Sequence, residues 1–274
     1  MSIILLLGTL TGILLAVGWL IAGPLGTLAA LIIAIVINIG TYMYSDRLVL
    51  KMYRAEPFEN EKVQRMLSYL ADEAKIPTPR LFIIKSPILN AFATGRSPRN
   101  AVVAVTEGLL ALEEDELQGV LAHEIAHIKN RDMLVSALAA TIAGAIAYVA
   151  HIGYFSLFFG NSQEKSPLSL IFIIIFAPLA AFLVRLAVSR SREFGADWTG
   201  ALLTKKPEAL ASALRKISTT AREHPIQGSV ATSHLWIVNP FKQDWFTSLF
   251  STHPPLEKRI ERLEIIRSSG EYVA

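Results

Sequence analysis

The chain has no cysteine among its 274 residues. That excludes disulfides and thiolate-bound metal clusters, so any metal must be held by histidine nitrogen and carboxylate oxygen. It implies nothing about the redox compartment. Charge is also sparse: Asp, Glu, Lys and Arg make up 18% of residues, the net charge is +3, and there is no long basic run, so nucleic acid is not an expected partner. Histidine is scarce, with six in all, and no internal repeat or low-complexity tract stands out. The abundant residues are apolar. Hydrophobic residues make up 52% of the chain and the mean hydropathy is +0.43, which is high for a water-soluble domain and favours a membrane protein.

Four apolar stretches are long enough to cross a bilayer, at roughly 20 residues each: residues 3–21, 25–44, 133–159 and 168–188. Only Ala22, Gly23 and Pro24 separate the first two, which suits a tight helical hairpin with an uncharged tip. The alternative for the first stretch, a cleaved signal peptide, is opposed by the missing basic n-region and by the second stretch that follows at once. Arg47, Lys51, Arg54, Lys129, Arg131, Arg190 and Arg192 flank one side of this arrangement, against Lys165 alone on the other. The positive-inside tendency then places both termini and every polar segment in the cytoplasm, with the chain multi-pass in the cell membrane. Arg185, inside the end of the fourth stretch, is expected to snorkel to the same surface.

The expected organisation is therefore a membrane hairpin at 1–45, a cytoplasmic segment at 46–132, a second membrane pair at 133–188 and a cytoplasmic segment at 189–274. Residues 60–75 have helical spacing and stop before Pro77. Short β-type runs at 80–84, 89–93 and 101–106 suggest a small antiparallel meander. Residues 113–130 read as a helix with acidic residues in its first turn. Further helices are expected at 192–203, 207–222 and 254–267.

The helix at 113–130 carries GVLAHEIAHIKNRD. His123 and His127, one turn apart on one face, can converge on a single tetrahedral metal. Glu124 beside them is suited to take a proton from a metal-activated water and pass it to a leaving amine. The plain alternative is an amphipathic helix with a surface histidine pair. A zinc hydrolase needs three protein ligands and an open position, so a third must come from elsewhere. In SRSREFGAD, Glu193 and Asp197 are also four apart, the pattern expected if one carboxylate binds metal and the other orients a ligand histidine. Alternatively they are an exposed acidic pair answering Arg190 and Arg192. His127 lies six residues before the third stretch and Glu193 five after the fourth, each within ~10 Å of the same membrane surface at 1.5 Å per residue.

HEIAHIKNRDM, SRSREFGAD, THPPLEKRI and the four-stretch layout together resemble the HtpX group of integral-membrane zinc metallopeptidases, relatives of the type 1 CAAX prenyl proteases. The resemblance covers almost the whole chain. It implies a single zinc ion held by His123, His127 and Glu193, with Glu124 as general base and Asp197 behind a ligand. Members are membrane endopeptidases associated with quality control and stress. In ILNAFATG, Asn90, Ala91 and Phe92 fall where similar proteases pair an edge strand with an extended substrate while the asparagine hydrogen-bonds to its backbone; the alternative is a turn-forming asparagine beside a core phenylalanine. His253 matches a family histidine that donates to the oxyanion, against a simple place ahead of a helix begun by Pro254 and Pro255. Arg259 falls on a family arginine, for which a salt bridge is the bland account. Trp236, Phe241, Trp245 and Phe246 have the character of a substrate groove, a headgroup contact or core. His151 is assigned to the interface, and His224 and His234 to loops. Gly195 departs from the larger residues common in relatives and weakens its helix locally.

The expected fold is a multispanning α-helical membrane protein, with four transmembrane helices and an α+β zincin-like cytoplasmic catalytic unit. The expected activity is hydrolysis of peptide bonds in misfolded or damaged membrane proteins, with polypeptides and the lipid bilayer as partners. Two other readings compete. One is a protease of lipid-modified C-terminal tails. The other is a non-enzymatic membrane scaffold with a structural zinc site, which Glu124 argues against.

Overall fold

The computed structural model describes residues 3–134, 190–223, 237 and 254–270. The third and fourth expected spans, from residue 135 on, lie outside the described residues. So do His151, His224, His234, Trp236, Phe241, Trp245, Phe246 and His253.

Helix α1 (Ile3–Met52) breaks at Ala22 and at Gly23, where φ is +56° and ψ −138°, just before Pro24. Only glycine adopts that backbone without a steric penalty. On a straight helix Thr11 and Asn38 would stand ~40 Å apart. Instead Asn38 Nδ2 donates to Thr11 Oγ1 at 2.9 Å, so the two arms lie side by side as the expected hairpin. Near the turn, a Cβ on Gly18 or Gly26 would strike the other's carbonyl oxygen, so small residues let the arms touch. The second arm contains the one stretch among the described residues that is long and apolar enough to cross a membrane, Ala22–Gly40. Leu25, Leu28, Ile32, Ile33, Val36 and Ile39 all point outward, a continuous apolar surface of the kind that meets lipid.

Strand β1 (Glu56–Pro57), helix α2 (Glu61–Ala74) and strands β2 (Arg80–Ile84), β3 (Ala91–Thr94) and β4 (Val102–Thr106) follow. Asn60 caps α2 by accepting from the Val63 amide at 3.1 Å, and α2 ends at Lys75 in the left-handed region. The antiparallel meander expected from the sequence does not form. The sheet has the order β1-β2-β4-β3, with β2 and β4 parallel (Arg80↔Val102 to Ile84↔Thr106) and β3 antiparallel to β4 (Ala91↔Val105 to Thr94↔Val102). Residues 85–90 do not turn tightly back onto β2. The amides of Glu107 and Gly108, just past β4, bond to the Ile84 and Ser86 carbonyls, and the chain passes the end of β4 to its far side. β4 is apolar at four of its five positions and buried at all five, the profile of a strand with neighbours on both sides.

The two faces of the sheet have different supports. Leu81, Ala91, Ala93, Val103 and Val105 join the main core with α2 and with α3 (Glu114–Lys129). Ile84, Phe92, Val102 and Ala104 pack with Val49 and Leu50 from the end of α1, with Tyr53 against them. Each Val, Leu, Ile or Phe side chain among these, fully buried, contributes about 1.5–3 kcal/mol. Helices α4 (Arg190–Thr204), α5 (Pro207–Glu223) and α6 (Leu256–Ser269) complete the described chain.

Candidate metal centre

Helix α3 is held at its start and gripped along its length. Glu113 and Glu116 form a capping box, and the buried Glu116 carboxylate also accepts from Ser212 Oγ at 2.7 Å and Lys216 Nζ at 2.8 Å on α5. Burial alone would raise the Glu116 pKa, but these donors, with the Glu113 amide, hold it below the usual carboxylate value. Further along, α4 crosses so closely that a Cβ added at Gly200 would lie 3.2 Å from the His123 amide nitrogen. This contact sets the gap across which the two motifs meet.

Across that gap His123, His127 and Glu193 converge, one potential ligand atom from each lying within 4.8 Å of the others. The imidazoles stand edge to face, with Nε2 atoms 3.1 Å apart. Glu193 places Oε1 3.5 Å from His127 Nε2 and Oε2 3.8 Å from His123 Nε2. Each ring has a carboxylate at its back. Asp197 Oδ1 is 3.0 Å from His123 Nδ1, close but out of line with the ring N–H. Asp132 Oδ2 pairs with His127 Nδ1 at 3.3 Å. Carboxylates at both Nδ1 atoms favour the tautomers that turn both Nε2 lone pairs inward. Two nitrogen donors and a carboxylate oxygen aimed at one point are the donor set zinc prefers, so the residues present fit that ion.

Asp197 is itself clamped. Arg259 Nε and Nη2 donate to its two oxygens at 2.8 and 2.7 Å, and Arg259 Nη1 donates to the Ile237 carbonyl at 3.1 Å. Burial would raise the Asp197 pKa, but Arg259 and His123 hold it well below the usual range. Glu124 is buried and its pKa is raised, chiefly by loss of water. His123 and His127 nearby and the Ala93 N–H, which bonds to its carboxylate, pull the other way. Burial disfavours charge on His127. The Asp132 hydrogen bond and the Glu193 and Glu124 carboxylates outweigh that and push its pKa up to about 9.

Asn90 heads β3 and is almost fully buried. Its amide and carbonyl both bond to Thr106 Oγ1 at 2.9 Å, and its Oδ1 accepts from the Ile237 amide at 3.0 Å. Ala91 and Phe92 follow it on the strand, facing α3 and α1 respectively. Asp132, Arg192, Ala93 and the Ile237 peptide are parts of the site that the motifs do not announce. Only Asp132 left a sequence signal, a carboxylate five residues past the second histidine.

A model of the family described as Peptidase family M48 matches residues 57–267. The chain belongs to peptidase family M48. Among similar M48 proteins are ones described as Protease HtpX homolog. That of Pyrococcus furiosus is 51% identical over 271 residues, covering 96% of this chain and 94% of its own. The Pyrococcus abyssi protein is 50% identical over 270 residues, at 95% and 93% coverage. The Syntrophobacter fumaroxidans protein is 45% identical over 270 residues, at 94% and 96%. These relatives bear out the HtpX resemblance read from residues 123–133 and 189–197. The crystal structure of S. mikatae Ste24p matches with a TM-score of 0.52 at 19% identity, covering 94% of this chain and 66% of that one. At that identity it speaks for the M48 fold alone.

Proposed function

We propose that this M48 protein is a membrane-bound zinc endopeptidase that hydrolyses peptide bonds of misfolded or damaged membrane proteins at the cytoplasmic face. The observation that carries this reading is the convergence of His123, His127 and Glu193 beside the buried Glu124. The apolar outward face of Ala22–Gly40 and the seven basic residues flanking one side of the apolar stretches support four spans, divided at 1–45, 46–132, 133–188 and 189–274, with both termini in the cytoplasm. The protease names of the HtpX relatives support the activity.

In this mechanism His123, His127 and Glu193 hold one zinc ion. When bound, zinc supplies Lewis acidity and eases deprotonation of water at neutral pH. Asp197 and Arg259 keep His123 in its metal-facing tautomer. Glu124 takes a proton on its carboxylate from the attacking water and delivers it to the leaving amine nitrogen. His253 donates to the developing oxyanion. Asn90, Ala91 and Phe92 receive the extended substrate along the edge of β3 away from β4, with Asn90 fixing the head of the strand through Ile237.

The test is purified protein in detergent with zinc, assayed on casein beside Glu124→Gln. Cleavage by the first and at least ~100-fold slower cleavage by the second is the expected result. If both are inert while both hold zinc, the scaffold reading replaces this one.

A further inference from the structure

The two imidazoles are not held alike. Behind His123 stands Asp197, gripped through both oxygens by Arg259, the two side chains 2% and 1% exposed. Behind His127 stands Asp132, five residues past that histidine. Asp132 lies past the end of α3, where Asn130 caps the helix and Arg131 takes a left-handed φ of +60°. A non-glycine residue in that region costs ~1–2 kcal/mol and persists only where its surroundings hold it. Here the turn brings the Asp132 carboxylate to His127 Nδ1, 3.3 Å away. Its second oxygen lies 3.7 Å from Arg192 Nε, and Arg192 is the residue immediately before Glu193. Asp132 thus touches the second metal-facing residue and the helix that carries the third.

We propose that Asp132 is a positioning residue: it holds the Nδ1–H tautomer of His127 and aims Nε2 at the ion, while Arg192 ties that carboxylate to α4. The inference rests on the metal-centre reading above. It adds that the carboxylates behind the two rings are held differently. Behind His123, Asp197 is locked inside the protein by its two-pronged ion pair with Arg259. Behind His127, Asp132 makes one hydrogen bond to the ring and one longer ion pair to Arg192, and the side chains of Asp132 and Arg192 are 13% and 19% exposed. This side of the centre is closed by Asp132, directly before the third apolar stretch, and by Arg192, four residues after the fourth. The competing role for Asp132 is an acidic residue in the first turn of the helix that starts there. That role would affect folding but not the metal.

The test uses the full chain in detergent, stripped of metal. Zinc affinity is measured by competition with a chromophoric chelator, and ligand geometry from the visible absorption of the cobalt(II)-loaded protein. Asp132→Ala should weaken zinc binding by on the order of 10–100-fold and shift the cobalt bands. Asp132→Asn keeps an acceptor at the ring and should lie between Asp132→Ala and the unaltered chain. Arg192→Gln should weaken binding less than Asp132→Ala. If Asp132→Ala, or Asp132→Asn should the alanine variant not fold, binds zinc with unaltered affinity and bands while His123→Ala loses zinc, the positioning role is refuted and the centre stands. If His123→Ala keeps full affinity, the metal centre itself falls and takes this inference with it.

Discussion

A single methyl group added to α4 should act in opposite directions at Gly195 and Gly200, because the two glycines face different surroundings. A Cβ at Gly195 meets nothing within 4 Å, so alanine there brings only the helix preference over glycine, about 0.5–1 kcal/mol of stabilisation. A Cβ at Gly200 lies 3.2 Å from the His123 nitrogen and 3.4 Å from both the Ala122 carbonyl carbon and His123 Cα. All three are backbone atoms and none can rotate away, so α4 must back off α3. Overpacking of this kind costs about 1–3 kcal/mol, which exceeds the gain in helix preference and leaves a net loss of about 1 kcal/mol. At roughly 2–4 °C per kcal/mol for a chain this large, Gly195→Ala should melt slightly higher than the unaltered protein and Gly200→Ala slightly lower. The site adds a second readout. Glu193 is on the same helix as Gly200, so a displaced α4 carries that carboxylate away from His123 and His127, and Gly200→Ala should bind zinc more weakly while Gly195→Ala does not. Thermal unfolding in detergent and chelator competition measure both. Equal melting temperatures and equal zinc affinities for the two variants would refute the claim that α3–α4 contact sets the ligand gap.

Three further outcomes follow from the same geometry. Arg259→Leu leaves the Asp197 carboxylate buried without its guanidinium partner, and should lower stability by about 3–5 kcal/mol in urea unfolding, with part of the loss recovered when Asp197→Asn is added. Asn60→Ala removes the cap of α2 and should cost about 1 kcal/mol without changing zinc affinity; a loss of affinity would show that α2 is coupled to the site. The Glu116 pKa is lowered on folding, so its contribution is present above the ordinary carboxylate value and fades as pH falls through the folded one. The stability gap between the unaltered chain and Glu116→Gln should therefore be wide at neutral pH and shrink in acid, and a gap that widens in acid would contradict the assignment.

The parts of this structure legible in the sequence were those written in local spacing. The helix that carries His123 and His127 is expected at 113–130 and runs from Glu114 to Lys129, because acidic caps and an apolar face mark it within one window. Histidines four apart and carboxylates four apart announce two helical faces, and the hairpin announces itself through Ala22, Gly23 and Pro24. The sheet order was not legible. Whether residues 85–90 turn back or pass the end of β4 is decided by bonds from Glu107 and Gly108, which no short window contains. Asp132 was missed because its approach to His127 requires a left-handed arginine, a conformation that residue type does not advertise. For Arg259 the bland account, a salt bridge, is what the structure contains, and its partner is the carboxylate behind a metal-facing histidine. Asn90 Oδ1 bonds to the Ile237 amide, a contact 147 positions away that sequence spacing has no means to encode.

The way α1 ends against the sheet has a practical corollary. Because Val49, Leu50 and Tyr53 cover Ile84, Phe92, Val102 and Ala104, the greasy hairpin and the chemical machinery share a wall. A shortened chain beginning after α1 would present that wall to water as a sticky patch and should clump when overproduced. Anyone wishing to crystallise a lipid-free fragment would do better to keep the last two turns of α1 and repaint their outward side with charge.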